Sequence, residues 1–258
     1  MWFYPKIIAH RGGGTLAPEN TIAALQCGLS HGFHAVEFDV MLSADGVPVL
    51  MHDPHFGRTV RGEGQVALTS AADLGKLDAG AWFDARFSGE PVPAYEQAVH
   101  FCKSNGIWMN VEIKPAPGHE VETGRVVGEV TRRLFAKEIA AAERSASQGN
   151  ASGLPLFSSF SFDALGQAAK AAPEIPRGFL LDTISPDWQE RLEALGAIAL
   201  HTNHKKLSRE QAAEVKRAGY GLFCYTVNDP ERARELLAWG VDAFCTDRID
   251  LIGHDFAA

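Results

Sequence analysis

Eight short apolar runs recur along the chain with helix-like segments between them, and this alternation restricts the fold more than any other feature of the sequence. The runs are KIIAH (6–10), AVEFDVM (35–41), WMNVEIK (108–114), PLFSSF (155–160), RGFLLD (177–182), AIALHT (197–202), GLFCYTV (221–227) and DAFCTD (242–247). From the fourth run onward the spacing is regular, and SFDALGQAAKAA, SPDWQERLEAL, SREQAAEVKRA and DPERARELLAW fill the intervals with helical patterns. Strands that alternate with helices pair in parallel. Eight such units in a chain of 258 residues predict an α/β fold, a (β/α)8 TIM barrel, as one domain over residues 1–258.

One segment breaks the spacing. Residues 53–92 separate His52 from the helix candidate AYEQAVHFCKS, whereas a βα connection takes roughly 2–6 residues. This is a small insertion after the second strand. It is expected to carry a short helix after Thr69 and Ser70, and Trp82, Phe83 and Phe87 are expected to form its own small core.

In such barrels the chemistry sits at the C-terminal ends of the strands. The second run carries two acids, Glu37 and Asp39, among apolar residues. Side chains alternate along a strand, so both acids share one face while Val36, Phe38 and Val40 take the other. The chain then turns through SADG and returns through VPVLMH to His52. The third run places Asn110, Glu112 and Lys114 on a single face by the same alternation.

Burying several carboxylates in an apolar strand calls for a cation, a basic partner or a raised pKa. Glu37, Asp39 and Glu112 make an oxygen-rich set suited to a hard divalent ion, Mg2+ or Ca2+. The alternative is that each acid is a salt-bridge partner of Arg11 or Lys114, but three acids against two bases leave one without compensation. His10 and His52 close a strand and its return at the same face, and a pair of imidazoles can serve as general base and general acid in one reaction. Arg11 and Lys114 supply fixed positive charge suited to a phosphoryl group. His201 also ends a strand; the remaining histidines, His204 among them, are expected on the surface. Asn20 or Thr21 is the expected N-cap of the first helix, and Glu19 fits either first-turn packing or a contact in the site.

A net charge of −8 argues against nucleic acid as a partner. The four cysteines show no CxxC spacing and are expected as buried, reduced thiols. No stretch approaches the roughly 18 apolar residues of a spanning helix, and MWFYPKIIAH lacks the features of an export signal. A cytoplasmic protein without stable membrane association is expected; a homodimer is left open.

The motifs HRGGGTLAPENT, EFD, a return ending in HD, VEIKP, YTVND and CTD, in this order over essentially the whole chain, resemble the glycerophosphodiester phosphodiesterases, most closely the cytosolic bacterial members. The resemblance implies a barrel with an insertion after the second strand, and a divalent ion held by Glu37, Asp39 and Glu112. It implies His10 and His52 as the acid-base pair, with Arg11 and Lys114 on the phosphate. The implied reaction is hydrolysis of a glycerophosphodiester to sn-glycerol 3-phosphate and an alcohol. The neighbouring glycerol hydroxyl would attack, a cyclic phosphate would form and water would open it; direct attack by water is the rival route. Tyr225 stands where many relatives have tryptophan, which bears on stacking rather than on the chemistry. A lysophospholipid-directed phosphodiesterase and a metal-dependent binder of phosphate esters without turnover are the other functions compatible with these residues.

Overall fold

The computed structural model describes residues 2–144 and 153–257. Strand β1 (Ile7–Ala9) leads into helix α1 (Ile22–Ser30), whose first turn is capped by the Thr21 hydroxyl, accepting from the Ala24 amide at 3.1 Å. Strand β2 (Ala35–Leu42) folds back on β3 (Pro48–Leu50) as an antiparallel hairpin. The insertion follows with α2 (Ala71–Leu74), capped by Ser70, and the barrel resumes with α3 (Tyr95–Ser104) and β4 (Trp108–Ile113). Two helices come next, α4 (Glu120–Leu134) and α5 (Ala136–Arg144). Four regular units then run β5 (Leu156–Ser159), α6 (Phe162–Ala171), β6 (Arg177–Leu181), α7 (Trp188–Leu195), β7 (Ala199–Asn203), α8 (Arg209–Arg217), β8 (Gly221–Tyr225) and α9 (Pro230–Ala238), before β9 (Ala243–Thr246).

Parallel pairings run from β1 through β9, β8, β7, β6, β5 and β4 to β2, and a β1–β2 pairing closes the ring. The (β/α)8 barrel is therefore formed by eight parallel strands, with antiparallel β3 attached outside the ring beside β2.

Strand alternation divides the core in two. Val36, Phe38 and Val40 of β2 and Val111 and Ile113 of β4 point outward and pack with the helices. Ile8, Ala35, Trp108, Leu156, Phe223 and Ala243 point inward and fill the lower barrel. The larger of these, such as Ile8, Leu156 and Phe223, each contribute roughly 1.5–3 kcal/mol. Tyr4 stacks on Trp108 at 4.8 Å and Trp2 lies 6.1 Å from Phe223, so aromatic rings close the N-terminal end. The inward positions become polar towards the opposite end, where the strands finish. Helix α4 packs on α6 through its glycines: a β-carbon on Gly124 would stand 2.0 Å from the Ala164 carbonyl oxygen.

The insertion's buried core is aliphatic rather than aromatic. Val60, Val66, Leu74, Ala79 and Val92 pack against Met41, Val49 and Met51 of the hairpin. Trp82, Phe83 and Phe87 are half-buried and meet edge to face at 5.6 and 5.7 Å. Three other expectations need adjustment. Thr21 alone caps α1, because Asn20 is turned inward. His204 is buried, not on the surface. All four cysteines are free, with Cys27 only half-buried.

Candidate active site

The strand register assembles the acids that the sequence spreads over two strands. Asp39 pairs with Glu112 and Glu37 with Asn110 across β2 and β4, so the three carboxylates face one space. Each offers an oxygen within 4.8 Å of the others. Glu37 and Asp39 are 3% and 1% exposed, which makes the source of their compensation decisive.

Compensation is unequal. Asp39 accepts from Asn20 Nδ2 at 2.9 Å and lies 3.4 Å from Arg11 Nε and 3.5 Å from Lys114 Nζ. Burial would raise its pKa, but Arg11, Lys114 and His52 outweigh it and hold Asp39 below the usual range. Glu112 has Lys114 at 3.5 Å, yet burial and the neighbouring Asp39 push it up to about 7. Among the described residues, Glu37 Oε2 accepts only the Arg11 backbone amide, at 3.1 Å, with His10 Nε2 at 3.7 Å, while Oε1 has no partner. Burial, Asp39 and Glu112 drive its pKa well above the carboxylate range. Among the described residues, Glu37 is the acid of the three with no lysine or arginine side chain at ion-pair distance.

Two tight turns hold this arrangement. Arg11 and Asn20 adopt left-handed φ values of 50° and 58°, a conformation that costs most non-glycine residues energy. Asn20 recovers part of that cost by clasping Asp39, its Oδ1 accepting from the Asp39 amide at 3.0 Å. At Gly14 a β-carbon would stand 2.1 Å from the Asp247 carbonyl oxygen, so only glycine lets the loop after β1 lie against the end of β9.

Both predicted histidines reach the same space, each oriented by a carboxylate. His10 Nδ1 lies 2.6 Å from Asp247 Oδ1, and His52 Nδ1 lies 2.6 Å from Asp53 Oδ1. An ionised carboxylate only accepts hydrogen bonds, so each Nδ1 carries the proton, and Nε2 is turned towards Glu37 in His10 and towards Lys114 in His52. His52 Nε2 accepts from Lys114 Nζ at 2.6 Å. Burial foremost, with Arg11 and Lys114, keeps His52 below its ordinary pKa. Asp53, bonded to Arg58 and His52, overcomes its partial burial and falls to about 2; His10 and Asn228 lower Asp247 likewise.

His10, Arg11, Glu37, His52, Glu112 and Lys114 line a cavity of about 250 Å³ that descends to Asn110, Ser158 and His201. His201 is fully buried and stacked on Phe223 at 4.4 Å, and burial drops its pKa to about 3, so it is a neutral imidazole. A second cavity of about 360 Å³ adjoins the first along Glu112, Lys114 and Phe160.

All seven residues singled out in the sequence thus converge. Asp53, Asp247, Asn20 and Arg58 complete the arrangement without having been given such roles. The adjacency of His52 to Asp53 and the strand-end position of Asp247 were visible signals; Arg58 left none. Glu19 makes a site contact, accepting from Arg11 Nη1 at 2.8 Å.

Comparison with known proteins identifies the family of the chain. Residues 10–251 match the glycerophosphoryl diester phosphodiesterase family. A glycerophosphodiester phosphodiesterase of Caldanaerobacter subterraneus is 31% identical over 246 residues, 93% of each chain. Among solved structures, an Oleispira antarctica phosphodiesterase in complex with the product sn-glycerol-3-phosphate has a TM-score of 0.86 and 35% identity, covering 99% of this chain and 98% of that one. A glycerophosphodiester phosphodiesterase from Agrobacterium tumefaciens has a TM-score of 0.75 and 28% identity, covering 98% and 100%. The chain is an enzyme that belongs to the glycerophosphoryl diester phosphodiesterase family.

Proposed function

We propose that the protein hydrolyses glycerophosphodiesters to sn-glycerol 3-phosphate and the head-group alcohol, using a divalent cation held by Glu37, Asp39 and Glu112. The observation that carries this reading is the pair of imidazoles, each fixed through Nδ1 by a carboxylate, with His10 Nε2 facing Glu37 and His52 Nε2 facing Lys114 beside the acid cluster. The product bound by the Oleispira relative supports the same substrate class.

The acid cluster suits a hard cation. Its donors are all carboxylate oxygens, and Glu37 Oε1 is buried without a partner among the described residues. Magnesium or calcium fits this set. Such an ion, when bound, would offset the charge of the acids and polarise the phosphoryl and hydroxyl oxygens of the substrate.

The remaining steps belong to this chain's own groups. Arg11 and Lys114 orient the phosphate and offset the charge that builds up on its oxygens. One histidine takes the proton of the glycerol hydroxyl beside the phosphate through its free Nε2, and the other, entering the step as an imidazolium with a second proton on Nε2, gives that proton to the departing alcohol. Holding the hydroxyl next to phosphorus makes the attack intramolecular, which favours a cyclic phosphate. Water then opens the ring with the two histidines exchanging roles. The cavity above His201 takes the glycerol half, and the adjoining one beside Phe160 has room for the head group.

Incubating the protein with glycerophosphocholine, glycerophosphoethanolamine and a lysophospholipid, with magnesium or calcium, tests this reading. Glycerol 3-phosphate should be released from the two water-soluble diesters. Cleavage of none of the three, or of the lysophospholipid alone to lysophosphatidate and its head-group alcohol, would refute it.

A further inference from the structure

We propose that Arg58, a residue of the insertion, is the positioning residue that joins the phosphate-side Arg11 to the proton-transferring His52. This inference rests on the functional reading above and extends it to a residue outside the barrel.

The geometry is a continuous chain of short contacts. Arg58 Nη1 and Nη2 donate to the two oxygens of Glu19 at 2.6 and 2.8 Å, a two-pronged pairing that fixes the guanidinium plane. The third nitrogen, Nε, donates to Asp53 Oδ2 at 2.6 Å. Glu19 also accepts from Arg11 Nη1 at 2.8 Å, and Asp53 also accepts from His52 Nδ1 at 2.6 Å. One guanidinium therefore holds both carboxylates that orient Arg11 and His52.

Charge explains why a cation must stand there. Glu19 and Asp53 are two anions drawn together, and Arg58 touches both. Without it Asp53 Oδ2 loses its donor, the carboxylate is free to rotate, and the bond that keeps the proton on His52 Nδ1 weakens. His52 Nε2 would then no longer be held as the acceptor facing Lys114. Arg11 would keep Glu19, but Glu19 would no longer be braced. Lysine could not substitute, since a point charge cannot span two carboxylates with three fixed N–H groups.

The guanidinium side chain is 44% exposed. Its partners Glu19 and Asp53 are 14% and 27% exposed, and partly exposed pairs of this kind add modestly to stability, so the main effect of Arg58 belongs in turnover. The insertion is also tied to α1, where Glu90 accepts from the Ala23 amide at 2.9 Å. Its placement is thereby set against the barrel on two sides, which gives Arg58 a fixed base.

The experiment compares wild type with Arg58→Ala and Arg58→Lys by kcat on glycerophosphocholine, thermal melting, and the ring-nitrogen NMR signals of His52. In wild type the His52 signals should report a single tautomer with the proton on Nδ1. Arg58→Ala should mix the tautomers and lower kcat by about a hundredfold, the scale of a small misplacement of catalytic groups. Its melting temperature should fall by no more than about 4 °C. Added ethylguanidine should restore part of the rate to Arg58→Ala, and Arg58→Lys should recover less than a tenth of the wild-type rate. A wild-type kcat in Arg58→Ala would overturn the proposal. So would an unaltered His52 tautomer, or a loss of rate matched by a loss of melting temperature and untouched by ethylguanidine. If wild type itself releases no glycerol 3-phosphate, the functional reading fails, while the tautomer measurement still decides the role of Arg58.

Discussion

Glu37 and Asp39 stand two residues apart on one face of β2, equally buried, and yet meet opposite surroundings. Asp39 is enclosed by Arg11, Lys114 and Asn20, whereas Glu37 has the Arg11 backbone amide, His10 Nε2 at 3.7 Å and an oxygen without a partner among the described residues. A buried charge left unpaired is costly, and protonation or a bound cation relieves it. The asymmetry therefore marks Glu37 as the residue whose environment changes most when the site is loaded.

Metal affinity should rise with pH. Glu37 and Glu112 carry raised pKa values in the metal-free protein, Glu112 near 7, and a protonated carboxylate must release its proton to bind a cation. Below that pH, affinity should fall by about tenfold per pH unit for each proton released. Titration calorimetry with magnesium or calcium at pH 6 and pH 8, in buffers of different ionisation enthalpy, checks this. A pH-independent affinity without proton release would contradict it.

The same shifts set the direction of stability. For a carboxylate whose folded pKa lies above its unfolded value, the native state binds more protons than the unfolded chain, so stability falls as pH rises between the two. For Glu112 that window runs from its ordinary 4.5 to about 7. The metal-induced gain in melting temperature should therefore grow across this window. Glu37→Gln should abolish the gain without lowering the melting temperature of the metal-free protein, as replacing an uncompensated buried charge permits.

Asp247→Asn and Asp53→Asn should each leave the fold intact and reduce kcat by about a thousand- to ten-thousandfold. An amide can present its NH2 to Nδ1 and so favour the wrong tautomer, and this is the size of the effect when a histidine loses its orienting carboxylate. Steady-state kinetics alongside circular dichroism decides the matter; near wild-type kcat in both variants would count against the paired imidazoles.

Asn20→Ala should cost about 2–4 kcal/mol of stability. It removes the donor to buried Asp39 and places alanine at a left-handed φ of 58°. Denaturant unfolding measures this, and a loss below about 1 kcal/mol would mean that the Asn20 clasp contributes little.

A diester that lacks the free hydroxyl beside the phosphate should not be cleaved, because the intramolecular attack has no nucleophile. Rapid hydrolysis of such a substrate would favour direct attack by water.

Much of this site was legible because strand alternation is a strict rule. Once AVEFDVM is a strand, Glu37 and Asp39 must share a face, and the barrel requires that face to look inward. Glu112 and Lys114 follow from the same count on β4. Contacts between distant segments carry no such local signal. Asn20 has the composition and position of an N-cap, and only the fold shows that Thr21 does that work while Asn20 turns to Asp39. Arg58 and Glu19 are far apart in sequence and meet because the insertion folds back beside α1. Helices α4 and α5 were not among the expected elements, and β3 was expected only as a returning segment; its antiparallel pairing outside the ring is a tertiary outcome.

The most direct test of the account is the turnover of glycerophosphocholine by chelator-treated protein as magnesium or calcium is titrated back. Release of glycerol 3-phosphate should fall to background on chelation and return saturably in wild type, but not in Glu37→Gln. Undiminished turnover in excess chelator, or full restoration in Glu37→Gln, would contradict the assignment of Glu37, Asp39 and Glu112 as the seat of the cation.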